Sequence, residues 1–409
     1  MRRSGEIVLC CAALSCGDAT GGDAGGGAST GTTALSIFAT DTPVPTSDGP
    51  KLDIPGDDLP PAGCGPVNGD LGLSYIWIAN STEGTISKID TVDMVERGRY
   101  IVRPDSAGDP SRTSVNLTGD VAVANRNGGI TKVYALAERC ADSNGTPGVQ
   151  TAHGPDFLAW GEEECVAWHT PLDYKSQRPV AWTQGTFDSE TCRHVGQKLW
   201  TSGSNTPGVV DILRLDGDTG VVEHKITVEG VLADSYGIYG GAVDRRGNFW
   251  GSQVGHGKLL FVDADTLEHK LYDSPHGAYG ITLDAAGRVW LCSGNAQRFD
   301  PASETWQTAP AGEYGGCMED GAGTLYKATP GGIAAVDTDT LEVVATYALP
   351  THIHGISVDF HGYVWGVSQG SEAYRLDPAD GSFETIGGLV GAYTYSDMTG
   401  FALSNQIVP

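Results

Sequence analysis

The amino-acid sequence predicts an all-β protein, a seven-bladed β-propeller of four-stranded antiparallel blades. The C-terminal half repeats one phrase four times, in which Asp is followed by Gly three positions later and by an aromatic residue six positions later. The copies run from Asp244 to Trp250, Asp284 to Trp290, Asp320 to Tyr326 and Asp359 to Trp365. Successive aromatic residues are 40, 36 and 39 positions apart, which is the period of one propeller blade. Glycine, 58 of 409 residues, suits the many tight turns of such a fold.

Residues 1–16 are interpreted as a signal peptide of the lipoprotein type. Arg2 and Arg3 precede a short apolar run at residues 7–14, and the Ser-Cys-Gly sequence at 15–17 resembles a bacterial lipoprotein cleavage box. In this interpretation Cys16 becomes the lipidated first residue of an exported protein at the outer membrane or cell surface. Plain secretion, to the periplasm or beyond, and a misplaced start codon are the alternatives.

Residues 17–73 are predicted to form a flexible, low-complexity tether and linker. Up to residue 33 the chain is almost entirely Gly, Ala, Thr, Ser and Asp, with too few apolar side chains to offset the entropy of ordering. The remainder is rich in Pro, Asp and Gly and has no strand-like alternation. The propeller is therefore expected over residues 74–409.

The blades follow one another along this segment. The first carries strands at 75–81 and 85–90, the second at 120–125 and 130–134, the third spans 178–228, and four clear blades run from about 236 to 390. An insertion is predicted near 153–177, and the acidic run at 162–164 within it is expected to be a solvated loop. No strand precedes the first blade, so residues 400–404 are expected to pair with it as a C-terminal strand and to close the propeller ring.

A second aspartate ends the third strand of each clear blade. These residues are Asp263, Asp300, Asp337 and Asp377. The turn that follows each has the chemistry of an Asx-capped hairpin. We therefore expect the repeated Asp and Gly residues to be structural rather than catalytic.

The charge balance excludes one class of partner. The chain has 51 acidic and 25 basic residues, a net charge of -26, and such a surface repels phosphate backbones. Nucleic acid is therefore not expected as a partner, and a membrane is expected only through the N-terminal lipid. The sequence has no nucleophile elbow, P-loop, zinc-protease motif or dinucleotide fingerprint. A monomer is expected.

Six cysteines follow the leader, an even number that suggests up to three disulfides in an exported protein. The predicted pairs are Cys140 with Cys165, which bracket the insertion, and Cys292 with Cys317, which fall on neighbouring blades. Buried free thiols are the alternative.

Two groups of bacterial propellers resemble this chain. Residues 75–91 resemble the repeat of YVTN-type surface propellers, and the later blades resemble the streptogramin (virginiamycin B) lyase and NHL-repeat group. In the lyase family a Pro-His-(Gly/Ala)-Ile-Thr segment precedes Trp-Phe-Thr-Glu, and residues 353–357 resemble the first part, with His354 eleven positions before Trp365. The resemblance implies a lyase in which His354 acts as acid or base beside a magnesium ion.

The second part of the family motif is absent. Where the family carries Glu, three positions after the aromatic residue, this chain has Gln253, Ser293, Thr329 and Ser368. Without these carboxylates the expected cation loses its ligands. The resemblance therefore supports the architecture better than the activity.

A binding site is predicted at the mouth of the central channel, because equivalent positions of different blades converge around the propeller axis. Tyr239, Tyr279 and His354 stand five positions before the aspartate of the repeat, and Tyr314 is displaced by one. Uncharged residues after the second strands could line the same face: Asn80, Asn125, Asn205, Gln253, Asn295 and Gln369. Such a surface suits a small molecule, a glycan or a protein segment, so a binding or scaffolding module is the favoured function. Packing of the tyrosines between blades is the alternative.

Histidines suggest a further hypothesis. His352 and His354 alternate in an extended segment and would point the same way, and His276 enters an adjacent region two blades earlier. Imidazoles alone could hold copper or zinc. Solvated histidines are the alternative, and the sequence specifies no cofactor beyond this candidate divalent cation.

Overall fold

The computed structural model describes residues 74–255, 257–312, 315–395 and 397–407. These residues form seven antiparallel blades in a propeller ring, which confirms the predicted fold class and blade number. One blade has three strands rather than the predicted four. The predicted signal peptide and tether, with Cys16, lie outside the described residues.

The N-terminal three blades carry the irregular features of the fold. Blade 1 comprises β1 (Tyr75–Asn80), β2 (Thr85–Asp90) and β3 (Val95–Ile101), and blade 2 comprises β4 (Pro110–Val115), β5 (Val121–Asn125), β6 (Ile130–Val133) and β7 (Val166–Thr170). Blade 3 begins with β8 (Ser176–Trp182), is interrupted by a hairpin of β9 (Thr186–Asp188) and β10 (Arg193–Val195), and continues with β11 (Lys198–Thr206), β12 (Val209–Asp216) and β13 (Val222–Glu229).

The C-terminal four blades are regular, each with four strands paired in chain order. Blade 4 comprises β14 (Gly240–Val243), β15 (Phe249–Ser252), β16 (Lys258–Val262) and β17 (His269–Asp273), and blade 5 comprises β18 (Gly280–Leu283), β19 (Val289–Cys292), β20 (Ala296–Asp300) and β21 (Thr305–Ala309). Blade 6 comprises β22 (Cys317–Glu319), β23 (Thr324–Thr329), β24 (Gly332–Asp337) and β25 (Val343–Ala348), and blade 7 comprises β26 (Gly355–Val358), β27 (Val364–Val367), β28 (Ala373–Leu376) and β29 (Phe383–Ile386).

The first strand of each of blades 2–7 lies next to the propeller axis. Neighbouring first strands contact one another around the ring, from β4 through β8, β14, β18 and β22 to β26. The hydrophobic core lies between the blades, where Trp77, Trp200, Trp290 and Trp365 are fully buried. Residues that immediately precede a first strand therefore lie near the axis, whichever blade they come from.

The aspartate of the repeated phrase holds the turn between the first two strands of a blade. Asp359 Oδ1 accepts hydrogen bonds from the backbone N–H groups of His361 and Tyr363, at 2.9 and 3.1 Å. Its Oδ2 accepts from Trp365 Nε1 at 2.8 Å, and Asp284 binds Trp290 in the same way. The glycine of the phrase has a left-handed φ, 82° at Gly362, which favours glycine at that position. Turn geometry and the indole bond together account for the repeat.

In blades 1 and 3 the indole N–H of the tryptophan donates to a different kind of acceptor. Trp77 Nε1 donates to the carbonyl oxygen of Gly119 at 3.2 Å, and Trp200 Nε1 donates to that of Gly247 at 2.9 Å. Both acceptors belong to the following blade. In blade 4, by contrast, Trp250 Nε1 donates to Asp244 Oδ2 of its own blade at 3.1 Å.

The aspartate that ends the third strand of a blade also binds backbone groups of its own turn. Asp337 Oδ1 accepts hydrogen bonds from the backbone N–H groups of Asp339 and Thr340, at 3.0 and 2.7 Å. Asp263 binds the equivalent groups of Asp265 and Thr266. These bonds are those of the predicted Asx-capped hairpin.

The predicted C-terminal strand at 400–404 is wrong, because Phe401–Ser404 form a short helix, α1. Asp397 explains the difference: its carboxylate accepts from the N–H groups of Gly400 at 2.8 Å and Leu403 at 3.3 Å. These bonds curl the chain instead of extending it. Within the described residues no helix is long and apolar enough to cross a membrane.

Residues further upstream contact the open edge of blade 1. The N–H of Tyr393 donates to Ala79 O at 3.0 Å, and the N–H of Trp77 donates to Met398 O at 2.9 Å. The buried Thr394 accepts the N–H of Ala79 on its Oγ1 at 2.8 Å. The 391–398 segment thus lies beside β1, although it is joined to it by only one isolated β-bridge.

The long loop of blade 2 begins and ends earlier than the insertion predicted at 153–177, and overlaps its first part. It spans residues 134–165 between β6 and β7, and β7 itself occupies 166–170. Cys140 and Cys165 form a disulfide across the base of this loop, with Cα atoms 4.7 Å apart. Cys292 and Cys317 join β19 to β22 in the next blade, so both predicted pairings are present.

The acidic run in this loop is not a solvated segment throughout. Glu163 and Glu164 are buried, and only Glu162 is exposed. Glu164 accepts the backbone N–H groups of Ser143 and Gln150, at 2.6 and 2.8 Å. These bonds lower the pKa of Glu164, because they stabilise its ionised form.

Candidate functional site

Aromatic residues from separate parts of the chain meet at the propeller axis. Tyr239 precedes β14, Tyr279 precedes β18, and Tyr395 comes from the 391–398 segment. Their ring centroids are 5.4 Å (Tyr239–Tyr279), 4.3 Å (Tyr279–Tyr395) and 5.5 Å (Tyr239–Tyr395) apart. With Tyr393 and His354 they form what we call the axial aromatic cluster. The structure therefore brings together two of the predicted tyrosines and the predicted histidine.

His354 is a buried member of this cluster, at 4% exposure. Its ring is 4.5 Å from that of Tyr279 in an edge-to-face arrangement. The side-chain amide nitrogen of Gln369 lies 2.8 Å from His354 Nε2. Burial, together with the nearby His352 and Arg112, lowers the pKa of His354 to about 4. At neutral pH the imidazole is uncharged and can accept a hydrogen bond from the amide.

Arg112 of β4 lies against the same cluster and has no exposed surface. Its Nη1 and Nη2 donate to the carbonyl oxygens of Tyr395 and Tyr279, both at 3.0 Å. The guanidinium carbon is 5.1 Å from the ring centroid of Tyr239. Burial lowers the pKa of Arg112 to about 9, which still leaves it a cation at neutral pH. Among the described residues no carboxylate forms an ion pair with it.

Two more arginines border the cluster nearer to solvent. Arg178 is half-buried, 4.9 Å from the ring centroids of both Tyr236 and Tyr239. Arg126 is 4.8 Å from the ring centroid of Tyr393 and forms an ion pair with Asp109. Arginine stacked on aromatic faces is a favourable arrangement. The mouth of the channel is therefore cationic as well as aromatic.

The remaining predicted ligand-binding residues have other surroundings. Gln253 is buried, and its Oε1 accepts the N–H groups of Leu232 and Lys258, at 2.8 and 3.0 Å. It therefore holds a loop rather than facing a ligand. Asn295 is half-buried in the turn between β19 and β20, and Tyr314 lies outside the described residues.

The arginine and the additional tyrosines were missed by sequence reasoning. For Tyr393 a signal exists, because the Gly-Ala-Tyr of residues 277–279 recurs at 391–393. For Arg112 the signal is weaker: a single cation stands in a run of small polar residues at 111–114. Its burial becomes evident only when β4 is placed at the axis.

The donor set around His354 does not fit the magnesium site that the lyase resemblance implies. Magnesium takes oxygen ligands, usually carboxylates, whereas the neighbours of His354 among the described residues are phenols, an amide, a second imidazole and a guanidinium. His352 is exposed, with its ring centroid 5.6 Å from that of His354, and His276 is exposed between β17 and β18. Across the described ranges no group of three or more His, Cys, Asp or Glu residues is placed to hold a metal ion.

A small cavity lies along the axis among the first strands. Its volume is about 40 Å³, and its lining includes Ser114, Val180 and Ile281. Ala402 and Leu403 of α1 also line it. The cavity has room for a few water molecules at most, so it is too small for a larger ligand.

Comparisons with known proteins identify the fold only. No protein-family model and no curated protein matches the chain. A solved streptogramin B lyase shares 14% identity at a TM-score of 0.50, covering 72% of this chain and 86% of that one. A functionally unknown protein from Desulfotomaculum acetoxidans shares 12% identity at a TM-score of 0.53, covering 79% and 98%. Virginiamycin B lyase from Staphylococcus aureus shares 16% identity at a TM-score of 0.46, covering 68% and 84%. At such identities the likeness is one of β-propeller architecture.

Proposed function

We propose that this chain is an exported, lipid-anchored β-propeller that acts as a monomeric binding module, with its ligand site at the axial aromatic cluster. The observation that carries the proposal is the convergence of phenols, a neutral imidazole and an arginine from five separate segments on one point of the channel. Burying polar groups costs free energy, and a purely structural plug could be built from aliphatic side chains. The cost is understandable if these groups recognise a ligand.

Binding is favoured over metal-assisted elimination by the electrostatics at His354. Among the described residues, the ionisable neighbours that lower its pKa are His352 and Arg112. The Arg112 charge disfavours a divalent cation there, and metal-assisted elimination needs carboxylate ligands, which the described neighbours of His354 do not include. A neutral imidazole that accepts the Gln369 amide suits ligand positioning instead.

Export is supported by the cysteine chemistry. Cys140–Cys165 and Cys292–Cys317 are disulfide-bonded, and structural disulfides persist mainly in oxidising compartments. The Ser-Cys-Gly sequence at 15–17 supports lipid attachment as the mode of anchoring.

The binding site can be tested with small molecules extracted from the producing cells. We expect the full chain to enrich an aromatic or planar compound, detected by mass spectrometry, and Tyr393→Ala to lose it. Tyr363→Ala is the matched control, because Tyr363 lies in a turn of blade 7 and contacts Arg375. If the Tyr393 variant, with an unchanged thermal midpoint, enriches the same compounds as the wild type, the proposed site is wrong.

The anchor has a separate test. Cys16→Ser is expected to move the chain from the membrane fraction to the soluble fraction, because the thiol that would carry the lipid is gone. Cys11→Ser is the control and should leave the chain with the membrane. Retention of the Cys16 variant in the membrane fraction would exclude this mode of anchoring.

A further inference from the structure

The least explained group in the propeller is the guanidinium of Arg112. Resting on the proposed binding function, we propose that the axial site is an anion site whose ligand is a small aromatic carboxylate, with its ring against the axial tyrosines and its carboxylate held by Arg178 and Arg112. This class of ligand is inferred from the positive charge of the two arginines and from the flat rings of the tyrosines.

The first step is the state of Arg112. It is fully buried, yet its hydrogen bonds go to two neutral carbonyls, and its Nε has no hydrogen-bond partner among the described residues. Arg99, also buried, is instead matched by Glu83 and Glu96, at 3.2 and 2.8 Å. A buried charge without a counterion is costly, and contact with aromatic faces offsets only part of that cost. An anion from solution would supply the missing countercharge.

The second step is Arg178, which brings an independent cation to the same place. It lies over Tyr236 and Tyr239, and its Nε donates to Ser176 Oγ at 3.2 Å. No carboxylate forms an ion pair with it in the part of the chain that the structure describes. Because Arg178 is half-buried, it can meet a ligand that enters from solvent. Guanidinium groups match carboxylates in geometry as well as in charge.

The third step is the contrast with the rest of the molecule. The chain has a net charge of -26, so most of its surface repels anions. Two guanidiniums at one opening, neither paired with a described carboxylate, therefore make the axial site a local exception. The Tyr239 hydroxyl, which lies 2.8 Å from that of Tyr393, adds neutral donors, since burial raises the pKa of Tyr239 and keeps the phenol protonated.

The experiment compares benzoate with benzamide, which has nearly the same shape and no charge. Each is titrated into the full chain by calorimetry. We expect 1:1 binding of benzoate at least about tenfold tighter than that of benzamide, corresponding to one bound charge-assisted pair. Arg178→Gln should lower benzoate affinity about tenfold and leave benzamide affinity unchanged. Arg178→Lys should recover part of the loss.

Arg246→Gln is the matched control, because Arg246 is an exposed arginine in a turn of blade 4. It removes the same charge at a distance from the axis and should leave both affinities unchanged. Arg178 is preferred to Arg112 for the test, because the buried Arg112 also holds two backbone carbonyls. The thermal midpoint of each variant is measured to confirm folding.

Three results would overturn the anion assignment. They are equal affinity for benzoate and benzamide, no benzoate binding at all, and equal weakening by the Arg178 and Arg246 variants. None of them decides the proposed binding function, which is tested separately by the compounds that the wild type and the Tyr393 variant enrich. A neutral enriched compound together with equal probe affinities would leave a binding module without anion preference.

Discussion

Glu319 is a buried carboxyl group at the end of β22 with 1% exposure. It accepts the backbone N–H groups of Gly323 at 2.9 Å and Ala285 at 3.2 Å. Burial is the main cause that raises its pKa from 4.5 to about 7, and these N–H groups oppose the change only in part. The folded state therefore holds this proton more tightly than the unfolded state. The stabilising contribution is complete below about pH 4.5 and is lost as the pH rises to about 7.

Glu319→Gln removes this titration. We expect the free energy of unfolding of the wild type to fall, relative to the variant, by about 3 kcal/mol between pH 4.5 and pH 8. Urea unfolding at the two pH values measures the difference. Glu268→Gln, at an exposed position before β17, is the control and should have the same free energy of unfolding as the wild type at both pH values. If the difference in unfolding free energy between the wild type and the Glu319 variant is the same at both pH values, the raised pKa of Glu319 is wrong.

At the same scale, sequence reasoning found part of the site and missed its charge. Tyr239, Tyr279 and His354 were predictable, because each stands at a fixed distance from a repeated aspartate. Arg112 was not, because its strand carries no such aspartate at the repeat spacing and its run of small polar residues is also typical of a solvent-facing strand. Whether such a residue is buried depends on which side of the blade faces the axis, and that is decided by contacts with other blades.

The loop at 134–165 shows how an element can be held by few groups. Glu163 accepts the N–H of Ala152 at 2.8 Å and that of Cys165 at 2.9 Å, and Glu164 accepts that of Gln150 at 2.8 Å. Carboxylates that bind backbone N–H groups replace the strand pairing which the loop does without. Sequence alone suggests solvation for such a run, because most acidic runs are solvated.

Cys140→Ala with Cys165→Ala is predicted to loosen this loop. The disulfide closes 25 positions, so its loss should lower the free energy of unfolding by about 3 kcal/mol. Chymotrypsin cleavage at Phe157, which is 42% exposed, should become faster under native conditions. The measurement is the rate at which the fragment appears.

The second disulfide gives a matched control. Cys292 and Cys317 are also 25 positions apart, so their removal is expected to destabilise the chain by a similar amount. It should nevertheless leave cleavage at Phe157 close to the wild-type rate, because it does not touch the loop. Equal acceleration in both double variants would indicate global rather than local opening.

The junction between blade 7 and blade 1 closes the propeller ring through apolar and polar contacts. Blade 7 and blade 1 share a hydrophobic cluster that includes Ile76, Ile78, Trp365 and Met398. Beside it, the 391–398 segment binds β1 through backbone groups and Thr394. Ring closure therefore depends more on apolar packing than on a complete fourth strand.

Thr394→Val tests the polar part of this closure. Valine keeps the volume but leaves the buried N–H of Ala79 without its acceptor, which should cost about 2 kcal/mol of unfolding free energy. Thr385→Val on the exposed face of β29 should change stability by less than about 0.5 kcal/mol. Urea unfolding of both variants provides the measurement. Equal stability of the two would show that the Thr394 bond is dispensable.

At this scale the blade number was predictable and the closure was not. The repeat marks four blades, one for each copy, and strand-like segments between residues 75 and 228 add three more. Residues 400–404 have strand-like composition, but the carboxylate of Asp397 binds the N–H groups of Gly400 and Leu403 and turns them into a helix. A local hydrogen-bond competition of this kind leaves no periodic trace in the sequence.

The indole N–H of a blade tryptophan finds its acceptor either in its own blade or in the next one, and this difference affects how blades can be added by duplication. Blades 4, 5 and 7 contain both the indole donor and its aspartate acceptor, so a gene duplication of any one of them copies a complete unit. A copy of blade 1 or blade 3 would bring the donor without its acceptor, which belongs to the next blade. Tandem duplication of blade 4, 5 or 7 therefore copies the tryptophan with its acceptor, whereas a copied blade 1 or blade 3 depends on a backbone carbonyl of whichever blade follows it. The four copies of the repeated phrase are all in the C-terminal half of the chain.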